Sequence, residues 1–225
     1  MDALLSQTAA IDWQDGNLPV SRRFAEGYFA AGDGLAETEH VYLAGNDLPA
    51  RFRPGFAIAE LGFGTGLTAL TAARAWTRSG LPGCLRFTSF EAFPIADGDM
   101  ARALGRWAEL APWRQPLLEA WARGARRMTL PGLELEVIAG DARDTLPAWG
   151  GRADAWFLDG FSPARNPELW EPALLASVAA RSTPGATAAT YSAAGHVRRA
   201  LAAAGFTVTR TAGHGAKRHM TRARL

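Results

Sequence analysis

The chain of 225 residues contains one cysteine, Cys84, and one lysine, Lys217. A single thiol excludes an internal disulfide and any cysteine-rich metal site, and at the head of an apolar run Cys84 reads as a core thiol. No stretch of 18 apolar residues occurs, and no basic segment leads into an apolar one at the N-terminus. The sequence therefore offers neither a membrane-spanning helix nor a secretory leader. His196, His214 and His219 lack metal-ligand spacing, so no metal is expected. With 48% hydrophobic residues the chain can bury one full core. The expectation is a single cytoplasmic domain with no membrane association and no obligate protein partner.

Acids are missing altogether from residues 181–225, which carry eight bases: Arg181, Arg198, Arg199, Arg210, Lys217, Arg218, Arg222 and Arg224. Residues 1–60 lean the other way, with nine acids against four bases, so the net charge of +2 hides a strong asymmetry. A one-sided basic segment suits a phosphate-rich partner. A solvated edge in an arginine-biased chain is the competing reading. The bias explains why Arg replaces Lys but not why acids are absent.

Apolar runs alternate with helical spacing along most of the chain. Strand-like runs cover 56–60, 84–90, 133–138, 153–158, 186–191, 206–211 and 217–224. Helical patterns cover 67–78, 96–110, 114–128, 168–182 and 194–204. Strands spaced by helices predict an α/β fold with a doubly wound, mainly parallel sheet, and the last two runs predict an antiparallel edge. Residues 1–50 stand outside this rhythm and read as an N-terminal extension packed on a domain of residues 51–225, with a hairpin through His40–Leu43.

Four acids fall at predicted strand ends: Glu60, Glu91, Asp141 and Asp159. Open α/β sheets bind ligands at the carboxyl ends of their strands, so four acids in succession there make a site. The loop Glu60-Leu-Gly-Phe-Gly-Thr-Gly66 spaces its glycines as Gly62-x-Gly64-x-Gly66, with Phe63 and Thr65 between them. That spacing differs from the dinucleotide fingerprint G-x-G-x-x-G. Glu60 beside the loop would repel a pyrophosphate but suits the cationic amine and sulfonium of S-adenosylmethionine. Glu91 is placed to accept from the ribose hydroxyls, and Asp141 from the adenine amino group. A tight strand-to-helix turn or an NAD site are the alternatives.

The most informative stretch is Asp154-Ala-Trp-Phe-Leu-Asp-Gly-Phe-Ser-Pro-Ala-Arg-Asn-Pro-Glu-Leu-Trp170. An apolar strand ends on Asp159, and a rigid turn follows that holds a ring, two prolines, a cation and an amide. Asp159 suits an acceptor for an incoming amine beside the cofactor, either orienting its lone pair or acting as a formal base, and capping of the turn is its competing role. Phe161 suits stacking on an unstacked base or packing in the core. Arg165 suits a phosphate and Asn166 the turn. Trp156 and Trp170 flank the site.

These motifs resemble the methyltransferase module of the MnmC-type tRNA 5-methylaminomethyl-2-thiouridine biosynthesis proteins. The resemblance rests on the glycine loop, Phe90-Glu91-x-Phe93-Pro94, Ala155-Trp-Phe-Leu-Asp-Gly-Phe161 and Asn166-Pro-Glu-Leu-Trp170. It extends to Tyr28-Phe29, Gly34-Leu-x-Glu-Thr38, Gly45-Asn46-Asp47-Leu48, Ala194-Gly-x-Val-Arg-Arg199 and Gly215-x-Lys-Arg218, nearly the whole chain. It implies a class I, Rossmann-like fold and methyl transfer from S-adenosylmethionine to the amine of 5-aminomethyl-2-thiouridine at the tRNA wobble position. Two-function relatives add an FAD-dependent oxidase, whereas here no second glycine fingerprint follows, so a stand-alone form without FAD is expected. Arg165 stands where relatives often carry Lys. Tyr28 and Asn46 would line the pocket mouth or serve the fold. Arg198, Arg199, Lys217 and Arg218 would grip the tRNA near its anticodon. A small-molecule N- or O-methyltransferase and a catalytically silent tRNA-binding module are the rival readings.

Overall fold

The structure is a computed structural model that describes residues 8–14 and 17–225. A small antiparallel sheet opens the described chain, from β1 (Ile11–Gln14), β2 (Leu18–Ser21) and β3 (Glu26–Gly27). Next comes α1 (Gly34–Thr38), capped by the Asp33 side chain on the Ala36 amide. It runs on through a π-helical turn at Glu39–Leu43 and a 3-10 turn at Ala44–Asn46. The predicted hairpin at 40–43 is therefore helical. His40-Val-Tyr-Leu43 alternates locally, but Val41, Tyr42 and Leu43 are all buried, as a helix wedged against a sheet allows.

The alternating region follows: β4 (Ala57–Leu61), α2 (Leu67–Ser79), β5 (Leu85–Glu91), α3 (Asp97–Leu104), α4 (Ala111–Ala122), β6 (Arg127–Leu130), β7 (Leu133–Ala139), α5 (Ala142–Ala148), β8 (Ala153–Leu158), α6 (Pro172–Ala180), β9 (Ser182–Thr190), α7 (Gly195–Ala203), β10 (Thr207–Ala212) and β11 (His219–Arg224). Eight of these strands form one sheet, ordered β10-β11-β9-β8-β4-β5-β7-β6. Strands β9, β8, β4, β5 and β7 run parallel. The last hairpin inserts β11 antiparallel to β9 and leaves β10 at the edge.

Every residue of β4 and β8 is buried, as strands covered by helices on both faces must be. That explains their unbroken apolar runs, against the alternation in β7, where Leu133, Leu135 and Val137 are buried and Glu134 is exposed. The helical pattern assigned to 114–128 stops at Ala122, because Gly124 takes a positive φ of 77° and Arg127–Leu130 pairs antiparallel with β7. This second antiparallel edge was not foreseen. Helix α5 was also missed, its seven residues being too few for periodicity to register. Cys84 lies just before β5 and is partly exposed, not a core thiol.

Residues 44–53 are pressed onto one face of the sheet, over β8, β9 and β11. A Cβ on Gly45 would lie 2.8 Å from the Ala189 Cβ, so only glycine fits there. Asn46 is fully buried and donates to the carbonyls of Tyr42 (2.9 Å) and Trp156 (3.3 Å). Arg53 grips Asp154 with two bonds, at 2.9 and 3.2 Å. Burial pushes the Asp154 carboxyl up, but its bonds from Arg53, the Ala57 amide and Thr183 outweigh burial and hold it below its usual value.

Candidate functional site

Strand order reverses at β4. The chain moves from β4 to β5 and β7 on one side, then returns to lay β8 on the other. The loops leaving β4 and β8 therefore separate above neighbouring strands and open a crevice between them. Register carries this to the atoms: Leu61 pairs with Leu158, and the Asp159 amide donates to the Leu61 carbonyl at 3.1 Å. A Cβ on Gly62, whose φ is 90°, would lie 2.6 Å from the Asp159 carbonyl oxygen. Glycine is needed there for both its conformation and its size.

Above this crevice lies a cavity of about 890 Å³. Gly62, Phe63, Gly64, Thr65, Glu91, Asp141 and Asp159 all contribute to its lining. The backbone loop and the carboxylate of Glu91 are locked together, since Glu91 Oε2 accepts from the Gly64 amide (2.9 Å) and Oε1 from the Phe93 amide (2.7 Å). Burial raises the Glu91 pKa, against the pull of these amides. Phe63 turns its ring away into the core, stacked on Trp121 at 5.2 Å. Gly66 sits at the helix entry with φ 81°.

Glu60 and Asp141 differ from expectation. Glu60 is fully buried beneath the loop, not open to the cavity, and accepts from Thr68 and from Ser89 (2.7 Å). Burial pushes its pKa well above the usual carboxylate range, and its bonds from Thr68 and Ser89 make it a support beneath the loop. Asp141 caps α5 and is held by Arg143 at 2.6 Å; that side-chain bond lowers its pKa.

Asp159 lies at the other wall, half-buried, its carboxylate enveloped by protein yet in contact with the cavity. Burial raises its pKa to about 7, with Tyr42 and Lys217 pulling it down and Glu37 and Glu26 pushing it up. The turn after it is pinned. Trp170 Nε1 donates to the Phe161 carbonyl (2.8 Å), and Glu26 accepts from both the amide (2.9 Å) and hydroxyl (2.6 Å) of Ser162. Phe161 reaches the cavity, but Phe24 already stacks on it at 4.7 Å and Tyr28 meets it edge-on at 5.2 Å. Those rings are too close to admit a planar base between Phe24 and Phe161. Arg165 and Asn166 line the cavity mouth, and Tyr28 its wall. Asn46 is not among the lining residues, being an anchor within the core.

The basic segment is not a uniform face. Lys217 joins the cavity lining, 2.9 Å from Glu37 Oε1 and over the Tyr191 ring at 3.8 Å. Arg222 and Arg224 both pair with Asp47. The acids of the N-terminal segment therefore neutralise part of the C-terminal charge, which the linear sequence does not reveal. Among the described residues, no ion pair engages Arg199, Arg210 or Arg218. Arg198 is partly buried on α7 and its Nε has no protein partner.

Sequence reasoning missed Glu26, Glu37, Tyr42 and Tyr191, all of which line the cavity. Glu37 fell inside a family motif, which was the available signal. Tyr42 looked like strand. Among the described residues, no group of His, Cys, Asp or Glu is arranged to hold a metal, and no helix is long and apolar enough to cross a membrane.

Residues 108–225 match a family described as S-adenosyl-L-methionine-dependent methyltransferase. Among curated proteins, the chain is 46% identical over 225 residues to the tRNA 5-methylaminomethyl-2-thiouridine biosynthesis bifunctional protein MnmC of Pseudomonas paraeruginosa, covering 95% of this chain and 34% of that protein. It is 48% identical over 214 residues to the protein of the same name in Caulobacter vibrioides, covering 92% of this chain and 36% of that one. The chain thus spans about a third of the length of the curated relatives it matches. Among solved structures, MNMC2 from Aquifex aeolicus superposes with a TM-score of 0.76 at 26% identity, over 97% of this chain and 70% of that one. TrmN from Thermus thermophilus, at 19% identity and a TM-score of 0.52, shares the fold.

Proposed function

The chain belongs to the S-adenosyl-L-methionine-dependent methyltransferase family, and from that premise we propose that it methylates the amine of 5-aminomethyl-2-thiouridine at the wobble position of tRNA, giving 5-methylaminomethyl-2-thiouridine. The observation that carries the reading is the pairing of two walls of one cavity, the Gly62–Gly66 loop with Glu91 on one side and Asp159 on the other. The residues fit the methyl donor: a glycine loop whose residues Gly62, Phe63, Gly64 and Thr65 line the cavity, and acceptor carboxylates at Glu91 and Asp141 for hydroxyl and amino donors. When bound, S-adenosylmethionine supplies an electrophilic methyl group on a positively charged sulfur.

The chain's own residues do the rest. An amine can attack only when unprotonated, and Asp159, with a pKa near 7, is matched to accept its proton and to orient the freed lone pair. Holding donor and acceptor in line supplies much of the rate in such a displacement. The Phe24–Phe161–Tyr28 aromatic cluster provides the surface for the base, with Phe24 giving way or the base using the remaining face. Neither metal nor FAD enters this reading. Residues 8–14 and 17–50 act as an extension packed on the domain of residues 51–225, the rest of the expected extension 1–50 lying outside the described residues, and the setting is cytoplasmic. Nucleoside mass spectrometry of a strain lacking the protein tests the reaction. Accumulated 5-aminomethyl-2-thiouridine with its methylated form missing supports it, and an unchanged wobble profile refutes it.

For tRNA binding, we assign Arg198, Arg199 and Arg218 of the basic segment to the anticodon region. Lys217 acts at the cavity instead. Replacing these three arginines with Ala is expected to reduce the log–log salt slope of tRNA binding by about 0.7–0.9 for each phosphate that is no longer neutralised. Filter binding at several salt concentrations reads this, and S-adenosylmethionine affinity is expected to be unchanged. A slope equal to wild type would move the grip to Arg102, Arg106, Arg123, Arg126 and Arg127.

A further inference from the structure

Tyr42 carries a hydroxyl that the fold does not need. Its ring is buried and packs on Phe157 at 5.4 Å, work that a phenylalanine would do as well. Among the described residues, its hydroxyl makes one hydrogen bond, donating to Asp159 Oδ1. The same bond is the only one that a described side chain or amide makes to the Asp159 carboxylate. Tyr42 also stands in a π-helical turn, a rare geometry frequently found at functional sites.

Resting on the methyl-transfer reading above, we propose that Tyr42 is a positioning residue whose hydroxyl holds Asp159 Oδ1, so that Oδ2 is the oxygen presented to the acceptor nitrogen. A carboxylate's terminal torsion is broad, and a single bond to one oxygen removes that freedom. A hydrogen bond to an ionised acceptor is also stronger than a neutral one. Burial keeps the Tyr42 hydroxyl protonated far beyond its usual range, so it remains a donor at every working pH.

Several other groups act on Asp159. Glu37 on α1, Glu26 on β3 and the buried Glu60 on β4 face it, as do Lys217 before β11 and Tyr191 after β9. The acids and burial favour the protonated form, whereas Lys217 and the Tyr42 hydroxyl favour the carboxylate. Deleting the hydroxyl therefore raises the proton affinity of Asp159 and frees its torsion at once.

The test compares wild type, Tyr42→Phe and Asp159→Asn in two assays. The first measures affinity for S-adenosylmethionine and for S-adenosylhomocysteine by calorimetry from pH 5.5 to 8.5. The sulfonium charge favours an ionised Asp159, so the affinity difference between the two ligands follows that ionisation. Wild type is expected to show a midpoint near pH 7. Tyr42→Phe should move it upward by about one pH unit, and Asp159→Asn should abolish it. The second assay is methyl transfer to tRNA bearing 5-aminomethyl-2-thiouridine. There Tyr42→Phe should lower kcat roughly 10–100-fold at pH 7, recover partly at higher pH, and leave the KM for tRNA unchanged. A wild-type midpoint in Tyr42→Phe overturns the proposal, even with a lowered Tm, since that outcome is a packing role alone. If wild-type protein fails to methylate the tRNA, the proposed reaction falls, and the ligand titration still decides the role of Tyr42.

Discussion

Asp159→Ala is expected to lower kcat for methyl transfer by about 10²–10⁴-fold, the range for removing a positioned proton acceptor, while S-adenosylmethionine still binds. The separation follows from where the groups sit. The loop and Glu91 are held by their own amide bonds at 2.7 and 2.9 Å, and neither depends on the Asp159 side chain. Single-turnover kinetics beside calorimetry measures both. Wild-type turnover by Asp159→Ala would remove it from the mechanism. Wild-type activity should also rise between pH 6 and pH 8, because only ionised Asp159 accepts a proton and its pKa lies near 7.

Stability should move the opposite way. The folded pKa of Asp159 exceeds its ordinary value of about 3.9, so between those two values the folded state holds a proton that the unfolded state has lost. Its favourable contribution is complete below about pH 3.9 and is lost as pH rises through 7. Asp159→Asn, which keeps an acceptor for Tyr42 and drops the charge, should therefore raise Tm more at pH 8 than at pH 5. Equal gains at both pH values would contradict the raised pKa.

Glu91→Ala is expected to weaken S-adenosylmethionine binding by about 1–3 kcal/mol, or roughly 5–150-fold in Kd, as loss of a charged hydrogen-bonding partner does. The change removes an acceptor for the ligand and also strips the Gly64 and Phe93 amides of their partner, so the loop itself loosens. Glu91→Gln keeps one carbonyl acceptor and should fall between. At saturating cofactor, kcat should stay near wild type, since Asp159 lies on the other wall. Unchanged affinity in Glu91→Ala would place the ribose elsewhere.

Much of this site was legible because its signals are local. Gly62, Gly64 and Gly66 announce a turn that only glycine can make, and apolar runs that end on Glu91, Asp141 and Asp159 announce strand ends. The family resemblance read from these motifs agrees with the relatives found. What stayed open or was misread depended on the assembled fold. Asn46, read as lining the pocket mouth or serving the fold, is buried and bonded to Tyr42 and Trp156. His40-Val-Tyr-Leu43 alternates like a strand and is helical because β9 and the helices α1 and α2 together bury Val41, Tyr42 and Leu43. The acid-free C-terminus looked like one basic face until Asp47 and Glu37, some 175 residues earlier, took up three of its cations.

By itself the sequence determined an alternating α/β chain, a glycine loop and a row of carboxylates, since each depends on turn geometry or on residue periodicity within a few positions. Only the tertiary structure decided what each carboxylate does. The reversal of strand order at β4 set Asp159 across the crevice from Glu91. The depth of the loop buried Glu60 under Thr68 and Ser89 as a support. The packing of residues 34–46 against β8 and β9 brought the Tyr42 hydroxyl to Asp159, 117 positions away. A carboxylate's proton affinity is set by burial and by the charges around it, and those are properties of the assembled fold.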